Sequence, residues 1–315
     1  QESRGLGDVY KRQADGRLLS RPRPQLWQAH SEKQIYLSSQ LTSPLGVGAG
    51  LSVSAYVPDL HYFAGRGAKD ILPLYRDPAG EVPNLHPGLL KQMSASYGVD
   101  VKPEDVAAYL YAVLAHPTFT DRYQDELTTK ELRLPITADG ELFARAVKIG
   151  RELLFLHTYG ERFADGQEWP AAEIKNTKAV DHSTLPEKFD YDIERHVLIV
   201  GDGEFAPVPP KVYEYEISGL KVVQSWLGYR LKNRRGKKNS PLDRITATGW
   251  GAEYTTELLR LLNLLNRTIA IQPMQASLLA DIEIGPQMNA ATIGNPPDEF
   301  RNAPKISGSQ PKLDL

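Results

Sequence analysis

The sequence contains no cysteine, and this excludes every function that depends on a thiolate. A disulfide scaffold, a cysteine nucleophile and a cysteine-ligated zinc or iron–sulfur centre are all ruled out. The chain also has no apolar run of membrane-spanning length and no signal peptide, so we expect a cytoplasmic protein without a membrane partner. No global excess of positive charge is present, because the formal net charge of the 315 residues is −2. Any surface for a polyanion must therefore be local.

The two ends of the chain differ from its interior. Residues 8–13 read Asp-Val-Tyr-Lys-Arg-Gln, which matches one translated frame of a common transposase-adaptor sequence. We therefore expect residues 1–13 to be a cloning or assembly scar and the natural protein to be longer at its N-terminus. At the other end, the prolines and polar residues of 295–315 predict a loose tail.

The hydrophobic pattern predicts an α+β fold that mixes helices with short, mostly antiparallel strands. Apolar residues at helical spacing indicate helices from Pro103 to just before Pro117 and at 140–158, 220–231 and 255–265. Short alternating or apolar runs indicate strands at 34–37, 51–57, 71–75, 191–194, 196–200 and 211–217. Gly201-Asp202-Gly203 is a clear turn signal after one of these strands.

The most informative stretch runs from Lys221 to Lys238, because it contains basic and aromatic residues and no acidic residue. Such a stretch can bind DNA, since Lys and Arg neutralise phosphates while Arg and Asn can read guanine and adenine edges. The predicted phosphate contacts are Arg230, Lys232, Arg234, Arg235, Lys237 and Lys238, and the predicted base readers are Asn233 and Asn239. A solvated, charged helix end is the alternative interpretation of the same residues.

A second group, Arg122, Tyr123 and Lys130, lies between the two middle helices. Acidic residues are interleaved with it, so surface ion pairing explains this group as well as DNA contact does. It is the weaker of the two predicted contact regions.

Three stretches resemble catalytic motifs only in part. Asn295-Pro296-Pro297-Asp298 is similar to the motif of amino-group methyltransferases, but Asp298 stands where an aromatic residue would stack on the base. Asp165 with Glu173 and Lys175 is similar to a nuclease metal site, although the spacing is short. The glycines of 46–50 precede a predicted strand, whereas a dinucleotide site requires a helix there.

An ordered series of segments across residues 35–290 resembles the C-terminal regions of type ISP restriction-modification enzymes. The segments that carry this resemblance are 58–61, 72–75, Tyr109–Pro117 with Tyr123, 132–136, 154–157, 213–219 and Trp226–Arg230. One departure stands out, because the family often has Pro-Arg-Ile-Pro where this chain has Leu134-Pro135-Ile136-Thr137, with Arg133 on the other side of the proline.

The resemblance implies a division of labour within a longer polypeptide. It implies upstream nuclease, ATP-driven motor and adenine methyltransferase domains that use S-adenosylmethionine, ATP and magnesium, and a specificity region that uses no cofactor. Residues 14–60 would then be trailing strands of the methyltransferase, and 61–294 would be the target-recognition domain.

The sequence therefore predicts a target-recognition module for double-stranded DNA that is not catalytic by itself. One rival is a catalytic fragment, either a methyltransferase that uses residues 295–298 or a nuclease that uses Asp165, Glu173 and Lys175. The other rival is a module that bridges the motor and the methyltransferase without binding DNA.

Overall fold

The computed structural model describes residues 23–39, 47–58, 70–127, 133–233 and 247–305. The helices within these residues are α1 (Pro24–Gln28), α2 (Leu89–Tyr97), α3 (Pro103–Leu114), α4 (Pro117–Arg122), α5 (Gln124–Leu127), α6 (Gly140–His157), α7 (Pro210–Tyr213), α8 (Val222–Gly228), α9 (Ala252–Ile284) and α10 (Asp298–Arg301). The strands are β1 (Tyr36–Ser39), β2 (Ser52–Ser54), β3 (Asp70–Pro73), β4 (Lys175–Lys178), β5 (Phe189–Asp192), β6 (Val197–Val200), β7 (Gly203–Ala206), β8 (Glu216–Ile217) and β9 (Leu220–Lys221). The predicted α+β class is confirmed.

The strands form small antiparallel sheets. The first has the order β2-β1-β3, with Leu37 opposite both Val53 and Leu72. It joins strands from either side of residue 60, and the predicted division of the chain at that residue stays a prediction. The second sheet has the order β4-β7-β6-β5, and the predicted Gly201–Gly203 turn connects β6 to β7. β8 and β9, each of two residues, pair antiparallel as a short hairpin.

The helical core is built around α3, α6 and α9. Helix α3 begins at Pro103 as predicted, and the Asp105 carboxylate accepts a hydrogen bond from the Lys102 N–H at 3.0 Å. Helix α6 begins after Asp139, whose carboxylate accepts from the N–H of Glu141 at 2.8 Å. The two helices pack closely at Gly150, where a Cβ atom would lie 1.8 Å from the carbonyl oxygen of Ala108. This contact leaves room only for glycine at that position.

The strands predicted at 51–57 and 191–194 are the shorter β2 and the shifted β5, and three further elements differ from the prediction. The strand predicted at 211–217 is a helical turn, α7, followed by the short β8, because Pro209 and Pro210 set backbone angles suited to the start of a helix. The helix predicted at 220–231 is shorter, since β9 takes its first two residues and α8 ends at Gly228.

The last helix is three times as long as predicted and passes through Pro273. Proline removes one backbone hydrogen bond from a helix interior, whereas the prediction had rested on the apolar run at 255–265 alone. Packing sustains the helix beyond the proline, because Leu278, Leu279 and Ile282 are fully buried. The Gln275 amide also donates to the carbonyl of Ala112 in α3 at 2.9 Å.

His157 connects the three core helices. Its Nε2 lies 2.9 Å from Thr268 Oγ1, and its Nδ1 lies 2.6 Å from the Tyr111 hydroxyl. Thr268 already donates its hydroxyl proton to the carbonyl of Leu264 at 2.9 Å. Thr268 must therefore accept from Nε2–H, and Nδ1 can accept from Tyr111, so the neutral imidazole satisfies both contacts. Burial lowers the pKa of His157 from 6.5 to about 4.

We expect the free energy of unfolding to fall as the pH is lowered from 6.5 to 4. In this window the unfolded chain binds a proton at residue 157 that the folded chain does not, so acid favours unfolding by at most about 3 kcal/mol from this group. Urea denaturation at a series of pH values measures the effect. In H157Q the pH profile should be flatter, and a profile parallel to that of the unsubstituted protein would contradict the assignment. Burial also lowers the pKa of His116 to about 4 and that of His30 below its usual value, so both contribute to the acid sensitivity that remains.

Candidate nucleic-acid interface

Residues 232–246 are strongly basic and are called here the basic segment. It contains six Lys or Arg residues and one acidic residue, Asp243. Lys232 and Asn233 are described by the structure and are exposed. The other predicted contacts of this segment lie outside the described residues and stay predictions: Arg234, Arg235, Lys237, Lys238 and Asn239.

The start of the basic segment and the residues just after it are hydrogen-bonded to one short stretch, residues 181–187, called here the anchor loop. At the first end, the Lys232 N–H donates to the carbonyl of Pro186 at 2.9 Å, and its Nζ lies 3.2 Å from the Glu187 carboxylate. Just after the other end, the Trp250 N–H donates to the carbonyl of Thr184 at 3.2 Å. The anchor loop therefore holds described residues on either side of positions 234–246, at Lys232 and at Trp250.

An aromatic cluster lies beneath these ends. Trp250 is fully buried, and its ring makes edge contacts with Trp226 at 6.1 Å and with Tyr254 at 5.5 Å between centroids. The Trp250 indole N–H donates to Thr255 Oγ1 at 2.8 Å. This cluster connects α8, the start of α9 and the two ends of the basic segment.

Arg230 lies inside this cluster. Its side chain is only 2% exposed, and its guanidinium carbon stands 3.7 Å from the centroid of the Trp226 ring. One nitrogen donates to the carbonyl of Trp226 at 3.1 Å, and another lies 3.3 Å from the Glu257 carboxylate of α9. This geometry does not support the predicted phosphate contact, because a buried guanidinium already paired with a carboxylate is not open to DNA. Arg230 instead holds the chain just before the basic segment against α9.

The surface beside the cluster is accessible and suited to a flat or anionic ligand. Tyr229 is 51% exposed, and the side chain of Lys232 is 60% exposed. Exposed aromatic and cationic groups next to a basic segment can contact sugars and phosphates. Sequence reasoning did not identify the anchor loop or Glu257, because neither carries a motif. The only local signal was the spacing of Trp226 and Arg230, which places an aromatic and a cation one helical turn apart.

The second predicted group makes contacts within the protein. Arg122 lies 3.0 Å from the Glu283 carboxylate of α9, and the Tyr123 hydroxyl donates to the same carboxylate at 2.5 Å. These contacts agree with the surface ion pairing that was the alternative to DNA binding, although Arg122 remains about half exposed. Lys130 lies outside the described residues. A DNA contact by this group stays a prediction.

The structure also describes the contacts and exposure of residues in the stretches that resemble catalytic motifs. Glu173 accepts a hydrogen bond from the Asn266 amide at 2.7 Å, and Lys175 begins the exposed edge strand β4. Within the described part of the chain, no group of three His, Asp or Glu side chains could hold a metal ion. Asp298 is exposed at the start of the four-residue α10. No helix in the same part of the chain is long and apolar enough to cross a membrane.

The fold and this surface define an α+β module with an anchored basic segment. The model of the type ISP C-terminal specificity domain matches residues 11–261, so the chain belongs to that family. Comparison with curated protein sequences gave no match.

The chain is similar to several solved structures, and the first one described here shows the same fold. The DrdV chain of a DrdV–DNA complex has a TM-score of 0.53 and 19% identity, over 82% of this chain and 25% of that one. A nuclease-deletion mutant of the type ISP enzyme LlaGI, in complex with a DNA substrate mimic, has a TM-score of 0.48 and 20% identity over 79% and 21%. The ATP-dependent type ISP enzyme LlaBIII, bound to DNA, has a TM-score of 0.49 and 17% identity over 79% and 16%. The chain thus spans a quarter or less of the length of these proteins.

Proposed function

We propose that this chain recognises a specific sequence in double-stranded DNA and directs the adenine methylation and cleavage carried out by upstream domains of the same polypeptide. Its membership of the specificity-domain family supports the proposal. The DrdV chain, which has the same fold, forms a complex with DNA. The upstream methyltransferase and motor domains are the proposed protein partners, and they would use S-adenosylmethionine, ATP and magnesium in the cytoplasm.

The observation that carries the proposal is the double anchoring of the basic segment by the anchor loop. Phosphate contacts set the register of a protein on the duplex, and a segment held on both sides can place such contacts in a defined position. The hydrogen bonds from Lys232 to Pro186 and from Trp250 to Thr184 provide two such points. The basic residues between them would neutralise phosphates, and Asn233 or Asn239 would be available to read base edges.

Selection from a pool of randomised duplexes at two salt concentrations tests this function. We expect the chain to retain DNA more strongly at the lower salt concentration and to enrich one short motif, because phosphate contacts are salt-sensitive while base contacts select sequence. Retention without enrichment would show that the chain binds DNA without sequence preference. No retention at either salt concentration would favour the rival role of a bridge between motor and methyltransferase.

A further inference from the structure

The anchor loop differs in charge from the segment that it holds. Residues 181–187 read Asp-His-Ser-Thr-Leu-Pro-Glu, with two acidic residues and neither Lys nor Arg. Residues 181–184 are exposed and polar, and they contact Gly249 and Trp250, just after the basic segment, while Pro186 and Glu187 contact Lys232 at its start. A loop of this charge is poorly suited to phosphates, but its polar groups can form hydrogen bonds with base edges.

The first part of the anchor loop is held rigid by internal contacts. The Asp181 carboxylate accepts from the Ser183 N–H at 2.9 Å and from its hydroxyl at 2.7 Å. Gly249 packs against the loop so closely that a Cβ atom there would lie 2.3 Å from the carbonyl oxygen of His182. The loop is therefore preorganised against the chain that follows the basic segment.

The ring of His182 is also held by the chain that follows the basic segment. Its Nδ1 lies 2.6 Å from the carbonyl oxygen of Trp250. A carbonyl oxygen can only accept, so Nδ1 must carry the proton in this contact. In the neutral ring Nε2 is then an acceptor, and it has no hydrogen-bond partner among the residues that the structure describes. His182 is exposed, so this acceptor is available to a ligand.

We propose that His182 is a base-reading residue and that its Nε2 accepts a hydrogen bond from an exocyclic amino group, the N6 of adenine or the N4 of cytosine, in the major groove. This inference rests on the proposed function, since it assigns sequence selection to the anchor loop and phosphate binding to the basic segment. Both amino groups are donors that the major groove exposes, and a fixed acceptor discriminates them from the carbonyl groups of thymine and guanine. His182 would thus select one base pair of the target.

Two substitutions separate base reading from a merely structural role. In H182N the side-chain amide can still donate to the Trp250 carbonyl, but the outward acceptor at Nε2 is lost. In H182A both are lost. The matched control is H196N, at an exposed histidine in the turn at the far end of the β5–β6 hairpin. His196 has a φ of 53°, which asparagine tolerates well.

The experiment repeats the duplex selection with the full chain and each variant, and measures the salt dependence of binding to random DNA. We expect H182N and H182A to keep the salt dependence of the unsubstituted chain and to lose preference at one base pair by about tenfold or more. H196N should leave both properties unchanged. An unchanged preference in H182A, or a full recovery of preference in H182N, would overturn the inference, because His182 would then be dispensable or only a positioning residue. If the unsubstituted chain enriches no motif, the proposed function itself fails before any variant is compared.

Discussion

Replacement of Arg230 by methionine is expected to lower the free energy of unfolding by about 3 kcal/mol. The substitution keeps much of the apolar stem but removes the charge that compensates the Glu257 carboxylate, which is only 22% exposed. It also removes the cation that stacks on Trp226 at 3.7 Å. Urea denaturation near neutral pH measures the loss. The double variant R230M/E257Q should recover part of it, because the carboxylate that has lost its Arg230 partner is then neutral.

DNA binding by R230M tests the position of Arg230. We expect weaker binding at every salt concentration with an unchanged salt slope, because Arg230 positions the basic segment and does not contact a phosphate. The binding assay is run well below the unfolding midpoint of the variant, so that a loss of folded protein does not lower the apparent affinity. A salt slope that decreases by about one unit would show that Arg230 neutralises a phosphate and that the buried geometry is not the one that binds DNA.

Neutralising the basic segment is expected to change the salt slope of DNA binding, which R230M should leave unchanged. In R234A/R235A the slope of the logarithm of the binding constant against the logarithm of salt concentration should become shallower by about two units, because two phosphate contacts are lost. The change in affinity between about 50 and 200 mM salt should then shrink by about tenfold. The loss should be similar for every duplex sequence, since phosphates are the same in all of them. Titration of labelled duplex at several salt concentrations measures both quantities.

The matched control for this variant is K91A/K148A. It removes the same number of positive charges from exposed positions on α2 and α6. If the effect of R234A/R235A depends on local phosphate contacts, the control should retain the original slope. Equal changes of slope in the two variants would point to a general charge effect and would remove the basic segment from the interface.

Much of the fold could be predicted because its signals are local. Pro103 with the acidic residues after it indicated the start of α3, and the helical spacing of apolar residues gave α6 almost to the residue. The turn after β6 followed from Gly201-Asp202-Gly203. In each case the residues that determine the element lie within the element or next to it.

Elements whose form depends on distant packing were predicted less well. The length of α9 is set by buried residues beyond Pro273 and by the contact of Gln275 with α3, and neither is visible in the sequence around the proline. The strand predicted at 211–217 shows the same limitation, because alternation over a few residues does not determine whether a partner strand is present.

For the candidate interface, the sequence by itself determined the family and the absence of thiol chemistry. It also showed that the positive charge is concentrated in one stretch of a nearly neutral chain. Only the tertiary structure decided that Arg230 is buried against Trp226 and Glu257. Only the tertiary structure also brought the anchor loop to the start of the basic segment, at Lys232, and to the chain just after it, at Trp250. The physical reason is that charge composition is a property of the chain alone. Burial and hydrogen-bond pairing, in contrast, depend on residues that are dozens of positions apart and meet only when the core has packed.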